Sequence, residues 1–121
     1  MAAQEFKRKL TAILRADFKG YSRLMRDDEE ATFRTLTMYR TAMTGLIQRY
    51  RGRVVDSLGD NILAEFTSAV DAVNCAVEMQ RELAERNAEL PESRRMEFLI
   101  GVNVGDVVIR RGNESTAMAS V

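Results

Sequence analysis

Residues 54–66 read VVDSLGDNILAEF. Val54 and Val55, two β-branched apolar residues, run into the turn formers Leu58-Gly59-Asp60-Asn61, and Ile62, Leu63, Ala64 and Phe66 run out of them. Apolar strand formers on either side of a glycine-containing turn predict a β-hairpin with Asp60 at its tip. On both sides of the hairpin the hydrophobic period changes from two to about 3.6. Upstream, Phe33, Leu36, Met43, Leu46, Ile47 and Tyr50 fall on one face of a helix over about 28–50, which Gly52 ends. Downstream, Ser68 is the expected N-cap of a second helix marked by Val70, Val73, Ala76, Val77, Gln80 and Leu83 and running to about residue 87.

Beyond the helices lie the outer strands. Residues 9–18, with Leu10, Ala12, Ile13, Leu14 and Ala16, form a nearly continuous apolar run of the kind a central strand carries, and it closes at Asp17. Lys19-Gly20-Tyr21-Ser22 reads as a turn, with Ser22 capping a short helix through Met25 before Asp27 and Asp28 open the long one. After Pro91, the only proline, Met96, Phe98, Ile100 and Val102 alternate with Glu97, Leu99, Gly101 and Asn103, and residues 107–109 are expected to return as the hairpin partner of that strand. The resulting order, βαββαβ, predicts an α+β fold: a ferredoxin-like sheet with helices on one face. In a split βαβ unit the first two strands run parallel and the third inserts antiparallel between them. The end of the first strand and the start of the third then share one edge, which makes Asp17 and Asp60 neighbours.

Two carboxylates in one small space repel each other unless a divalent cation lies between them. Two carboxylates completed by substrate phosphates are a common way to hold magnesium. Beside them, Gly20 leads into a helix start whose free backbone N–H groups suit phosphate oxygens. The plainer alternative also stands at this stage: aspartate and glycine are ordinary turn residues, stabilised by local hydrogen bonds.

Composition narrows the classes. A chain of 121 residues, 45% hydrophobic, suits one compact domain. Eighteen basic residues balance eighteen acidic ones, so no overall field draws the protein to nucleic acid or an anionic membrane. No apolar run approaches the roughly 20 residues that span a bilayer, and the opening MAAQEFKRK lacks a signal-peptide core, so the expectation is a cytoplasmic protein with no membrane span. The single cysteine, Cys75, lies in an apolar helical pattern and is expected to be a buried thiol. With no histidine in the chain, any metal must be held by oxygen ligands. The charged stretches at residues 81–89 and 92–95 read as solvated faces.

Four segments in order, LTAILRADFKGYSRLM (10–25), VVDSLGDNILAEF (54–66), SAVDAVNCAVEMQRELAERN (68–87) and IGVNVGDVV (100–108), resemble successive motifs of the class III adenylate/guanylate cyclases, in particular the bacterial adenylate cyclase type. The resemblance covers about residues 8–110, with residues 1–7 as an extension and 111–121 as an atypical tail. It implies that Asp17 and Asp60 bind two magnesium or manganese ions, with the backbone carbonyl of Phe18 as a further ligand. It implies a triphosphate loop at Phe18, Lys19, Gly20 and Tyr21, with Gly59 beside it. The implied reaction converts ATP to 3′,5′-cyclic AMP and pyrophosphate in cyclic-nucleotide signalling, carried out by head-to-tail homodimers in which each site takes metals from one chain and transition-state residues from the other.

Two departures from the family pattern qualify this. The base-reading position, three residues before the Gly-Asp pair and usually lysine in the adenylate cyclases, is Asp56, which leaves ATP or GTP as the nucleotide; a solvated strand residue is the alternative reading of it. The family's later asparagine and arginine, which stabilise the transition state, have no counterpart here, so the expectation is an inactive chain, the alternative function being a non-catalytic nucleotide-binding or dimerisation module. The tail RRGNESTAMASV resembles no helix or strand of the family. A family-like Ile-Tyr-Gly-Asp-Gly-Val encoded ATC TAC GGC GAT GGC GTC, read one nucleotide later, gives Ser-Thr-Ala-Met-Ala-Ser, the text of residues 115–120. A frameshift or an equivalent truncation near residue 110 is therefore the expectation.

Overall fold

The computed structural model describes residues 6–57, 59–110 and 116–120. Its elements are β1 (Phe6–Lys19), α1 (Tyr21–Asp27), α2 (Glu29–Arg49), β2 (Arg53–Asp56), β3 (Asn61–Phe66), α3 (Ala69–Ala88), a short 3-10 turn (Glu92–Arg94), β4 (Glu97–Arg110) and β5 (Thr116–Ser120). The sheet order is β2-β3-β1-β4-β5, and every neighbouring pair is antiparallel. β3 thus lies between β1 and β2, which run parallel to each other, as the split βαβ reading requires.

Period-two alternation divides the sheet into a covered and an open face. Along β1, Ala12, Leu14, Ala16 and Phe18 are buried, and across from them lie Ile62, Ala64 and Phe66 of β3. Against this face pack Leu36, Tyr39, Met43, Leu46 and Ile47 of α2 and Ala72, Cys75, Met79 and Leu83 of α3. Each large side chain buried in this way contributes about 1.5–3 kcal/mol relative to exposure. Asp28 caps α2 by accepting from the Ala31 N–H at 3.0 Å, and Ser68 caps α3 by accepting from the Asp71 N–H at 3.1 Å.

Several sequence expectations are corrected. Residues 107–109 do not turn back: β4 continues through them and pairs with the first half of β1, from Phe6↔Arg110 to Thr11↔Gly105. The Gly105-Asp106 pair resembles a turn, but the long β1 offers an unpaired edge whose backbone groups need partners. The hairpin partner of β4 is instead β5, in the tail whose text resembles no helix or strand of the family. On α2, Phe33 is 64% exposed and Thr32 takes the buried position, its hydroxyl donating to the Leu24 carbonyl at 2.8 Å. On α3, Val70, Val73 and Val77 are exposed, and the buried stripe is Ala72, Cys75, Met79 and Leu83. Ser22 lies inside α1; Gly20, at φ 75°, is the N-cap.

The end of α2 also differs in detail. Arg51, at φ 65°, makes the left-handed step, anchored by two Nη2 bonds to Asp71 at 3.0 and 3.1 Å. Gly52 is needed for close approach, since a Cβ there would stand 2.5 Å from the Phe66 ring. The stretch 92–95 is not simply solvated. Arg94 donates to Thr32 Oγ1 at 2.5 Å, and Arg95 Nε to the carbonyls of Asn87 and Leu90 at 2.9 and 3.2 Å. Asn87 of α3 ties α2 to the segment entering β4: its Oδ1 accepts from the Tyr39 hydroxyl at 2.7 Å and from the Met96 N–H at 3.0 Å, and its Nδ2 donates to the Met96 carbonyl at 2.7 Å. Burial pushes the Tyr39 hydroxyl above its ordinary pKa.

Candidate functional site

The two aspartate-bearing segments meet at one end of the sheet. Asp17 is paired with Asn61 across the β1–β3 ladder, and the Phe18 N–H donates to the Asp60 carbonyl at 2.7 Å. Asp60 therefore sits one step past the ladder, in the turn, joined to β1 by a single backbone bond. Phe18 itself is buried, its ring stacked on Phe98 (centroids 5.2 Å apart) and edge-on to Tyr21 (5.3 Å). With the ring locked in the core, only the Phe18 backbone is left to serve the site.

Alternation puts Asp17 on the open face, where its side chain is 42% exposed. Arg15, two residues back on the same face, donates from Nε to both Asp17 carboxylate oxygens at 3.0 and 3.3 Å. An exposed pair of this kind contributes about 0–1 kcal/mol, so a divalent ion can displace the guanidinium at little cost. Asp60 is exposed. The donor set, two carboxylates beside a backbone carbonyl, is all hard oxygen and fits magnesium or manganese. Among the described residues no group of three or more histidine, cysteine, aspartate or glutamate side chains is gathered for a metal. The remaining coordination positions would fall to phosphate oxygens and water, the usual situation for magnesium.

Next to the carboxylates, Gly20 opens α1 without any side-chain cap on its first N–H groups. A cleft of about 770 Å³ adjoins this turn, with Lys19, Gly20, Arg23 and Arg95 in its wall together with Glu92 and Glu97. Gly59, at φ 60° with open space around it, allows the hairpin to turn immediately before Asp60. Asp56 is exposed at the end of β2, paired with Leu63 after a register shift that follows Val54. Leu63 is also the partner of Arg15, so Asp56, Leu63 and Arg15 form one row across the open face.

The structure thus brings Asp17, Phe18 and Asp60 together, sets Lys19, Gly20 and Tyr21 beside them, and places Asp56 two strands away from Arg15 on the same face. Two arginines at this site escape the sequence reading. Arg15 carried a signal, a charge inside an apolar run. Arg40 carried one too: it shares the core-facing phase of α2 with Leu36, Met43 and Ile47, and its Nη2 donates to the Gly59 carbonyl.

No family model matches the chain. It is 44% identical over 111 residues to a protein of Rhizobium meliloti (strain 1021) named "Putative adenylate cyclase 3", an alignment covering 90% of this chain and 19% of that one. Among solved structures it is similar to the adenylate/guanylate cyclase/hydrolase from Silicibacter pomeroyi (34% identity, TM-score 0.80, 93% of this chain and 65% of that one). It is also similar to the guanylyl cyclase Cya2 (30% identity, TM-score 0.76, 95% of this chain and 64% of that one). The chain therefore spans about a fifth of the curated relative and just under two thirds of the two solved chains. With 44% identity over nine tenths of this chain to the curated relative, and with the fold shared with two solved cyclases at 34% and 30% identity, the chain belongs to the class III adenylate/guanylate cyclase catalytic-domain family.

Proposed function

We propose that this chain is the metal-binding part of an adenylate cyclase domain, and that Asp17, Asp60 and the Phe18 carbonyl hold two magnesium or manganese ions against the triphosphate of ATP. The observation that carries the reading is the Phe18 N–H to Asp60 carbonyl bond, which ties the two aspartate segments edge to edge. Lys19, Gly20 and Tyr21 cradle the phosphates through backbone N–H groups at the start of α1, and the cations of the adjoining cleft, Lys19 and Arg23, favour the same charge. The ions, when bound, supply activation of the ribose 3′-hydroxyl and neutralisation of charge on the α-phosphate. The protein's part is to hold the carboxylates and the phosphate loop in fixed register, which the β1–β3 ladder does.

Asp56 supports a second reading, a nucleotide-binding module with altered or absent catalysis. Its exposed carboxylate lies at the position that the family resemblance implies to be base-reading, where it can only accept hydrogen bonds from a purine edge. The family resemblance assigns no asparagine or arginine of this chain to the transition-state role, and loss of one such donor costs about 10²-fold or more in rate. Cyclic AMP formation by this chain alone is therefore expected to be negligible, and robust formation in a manganese-ATP assay would overturn that part of the reading. A homodimer is expected, with sedimentation equilibrium as the check and a monomer at all concentrations as the contrary result. The site itself is tested by equilibrium dialysis of ATP and GTP analogues: retention only with manganese supports it, and no retention of either analogue overturns it.

A further inference from the structure

We infer that Arg40 is a positioning residue for the metal-binding edge: from α2 it holds the β2–β3 turn by its backbone carbonyls and so fixes where Asp60 stands. This rests on the reading of Asp60 as a metal ligand. The β2–β3 ladder ends early, its last pair being Asp56↔Leu63 after a register shift, and the β1–β3 ladder ends at Asp17↔Asn61, so among the described residues Ser57, Gly59 and Asp60 lie outside both ladders. A loop free of ladder bonds samples many positions unless something else holds it. Two contacts do. From β1, the Phe18 N–H reaches the Asp60 carbonyl at 2.7 Å; from α2, Arg40 donates through Nη1 to the Ser57 carbonyl at 3.4 Å and through Nη2 to the Gly59 carbonyl. The planar guanidinium spans both acceptors at once, one of them in the residue just before Asp60.

The same arginine is a poor choice for stability alone. It occupies the helix phase of Leu36, Met43 and Ile47, where an apolar side chain would pack without losing hydration. Among the described residues, its Nε and the Ser57 hydroxyl are both buried with no hydrogen-bond partner. An uncompensated polar atom beside a core lowers stability, so the arginine's gain must lie in what its two Nη groups hold. Fixing a ligand-bearing turn from behind is the role that the partners of metal ligands commonly play, and removing such a partner typically weakens metal affinity about 10- to 100-fold.

The test uses the whole chain with Arg40→Met, Arg40→Lys and Tyr39→Phe. Tyr39→Phe is the control: it removes the neighbouring helix bond to Asn87 and leaves the turn untouched. Two readouts are taken, amide hydrogen exchange at residues 59–61 in the metal-free protein and manganese affinity from the paramagnetic resonance of free Mn²⁺. In Arg40→Met, exchange at the turn speeds up and manganese binding weakens roughly 10-fold or more. Arg40→Lys, which can reach one carbonyl but not both, lies between it and wild type, and it decides the matter if Arg40→Met does not fold. Tyr39→Phe loses thermal stability yet keeps wild-type exchange at the turn and wild-type manganese affinity. The inference is overturned if the Arg40 variants match wild type in both readouts, or if Tyr39→Phe weakens manganese binding as much as they do. Wild type that fails to bind manganese is a separate outcome: it overturns the metal-site reading and the role of Arg40 with it.

Discussion

The two faces of the sheet are built from the same strand, residue by residue, yet obey different rules. On β1 the covered face holds Leu14, Ala16 and Phe18, all buried against α2 and α3; the open face holds Arg15 and Asp17 one position away. Removing apolar surface from water fixes the first set, and that burial forces the second set outward, because a one-residue slip would bury Asp17 and expose Phe18. The core therefore sets the register of the chemistry without touching it. Stability and ligand binding should respond to different residues although their Cα atoms are neighbours along the chain.

That separation can be broken most directly with Leu14→Ala, expected to cost about 2–5 kcal/mol in denaturant unfolding, beside Arg15→Ala, expected to stay within about 1 kcal/mol. Equal losses would remove the distinction between the faces. A smaller effect is expected at the covered face from Gly52→Ala, where the added methyl meets the Phe66 ring and Ile47, and the cost is about 1–3 kcal/mol.

Alkaline pH probes the same face chemically. Burial pushes the Cys75 thiol up to about 11 from 9.0. The unfolded chain loses this proton first, so the contribution is fully present below pH 9.0, falls as pH rises, and is lost by about 11. Unfolding stability should drop by roughly 2 kcal/mol over that window, and Cys75→Ala should flatten the drop. The smallest effect belongs to the open face: Arg15→Ala frees the Asp17 carboxylate and should tighten manganese binding by up to about fivefold, as expected for loss of an exposed competing ion pair. Weaker binding in that variant would mean that Arg15 assists the site instead of competing with the metal.

The hairpin at 54–66, both long helices and the Ser68 cap were legible in the sequence because each rests on signals within a few residues. The meeting of Asp17 and Asp60 was legible for another reason: one topological rule, a third strand between the first two, brings them to one edge. The phase of α3 was not, since alanine and valine occur all round it and Val70, Val73 and Val77 mimic a buried stripe that belongs to Ala72, Cys75, Met79 and Leu83. The full length of β4 was not legible either: residues 107–109 carry the apolar text of a returning strand, but the otherwise unpaired half of β1 takes them as a continuation. β5 shows that ladder bonds are made by backbone and ask little of side chains, so a strand forms even where residues 116–120 match no family motif. Sequencing the coding DNA tests the frameshift proposed for that tail: the alternative frame should read on into an asparagine and arginine motif, and its absence there would contradict the proposal. Arg40 is not marked by the apolar period of α2, because it holds the phase of Leu36, Met43 and Ile47 with a charged side chain.

The most direct test of the account is calorimetric titration of a non-hydrolysable ATP analogue, with manganese, into wild type, Asp17→Ala and Asp60→Ala. The account predicts metal-dependent binding by wild type, loss of it in both variants, and unfolding curves for the variants that stay close to wild type. Binding that survives either substitution, or that needs no metal, would contradict the assignment of this edge as the metal-binding half of a cyclase site.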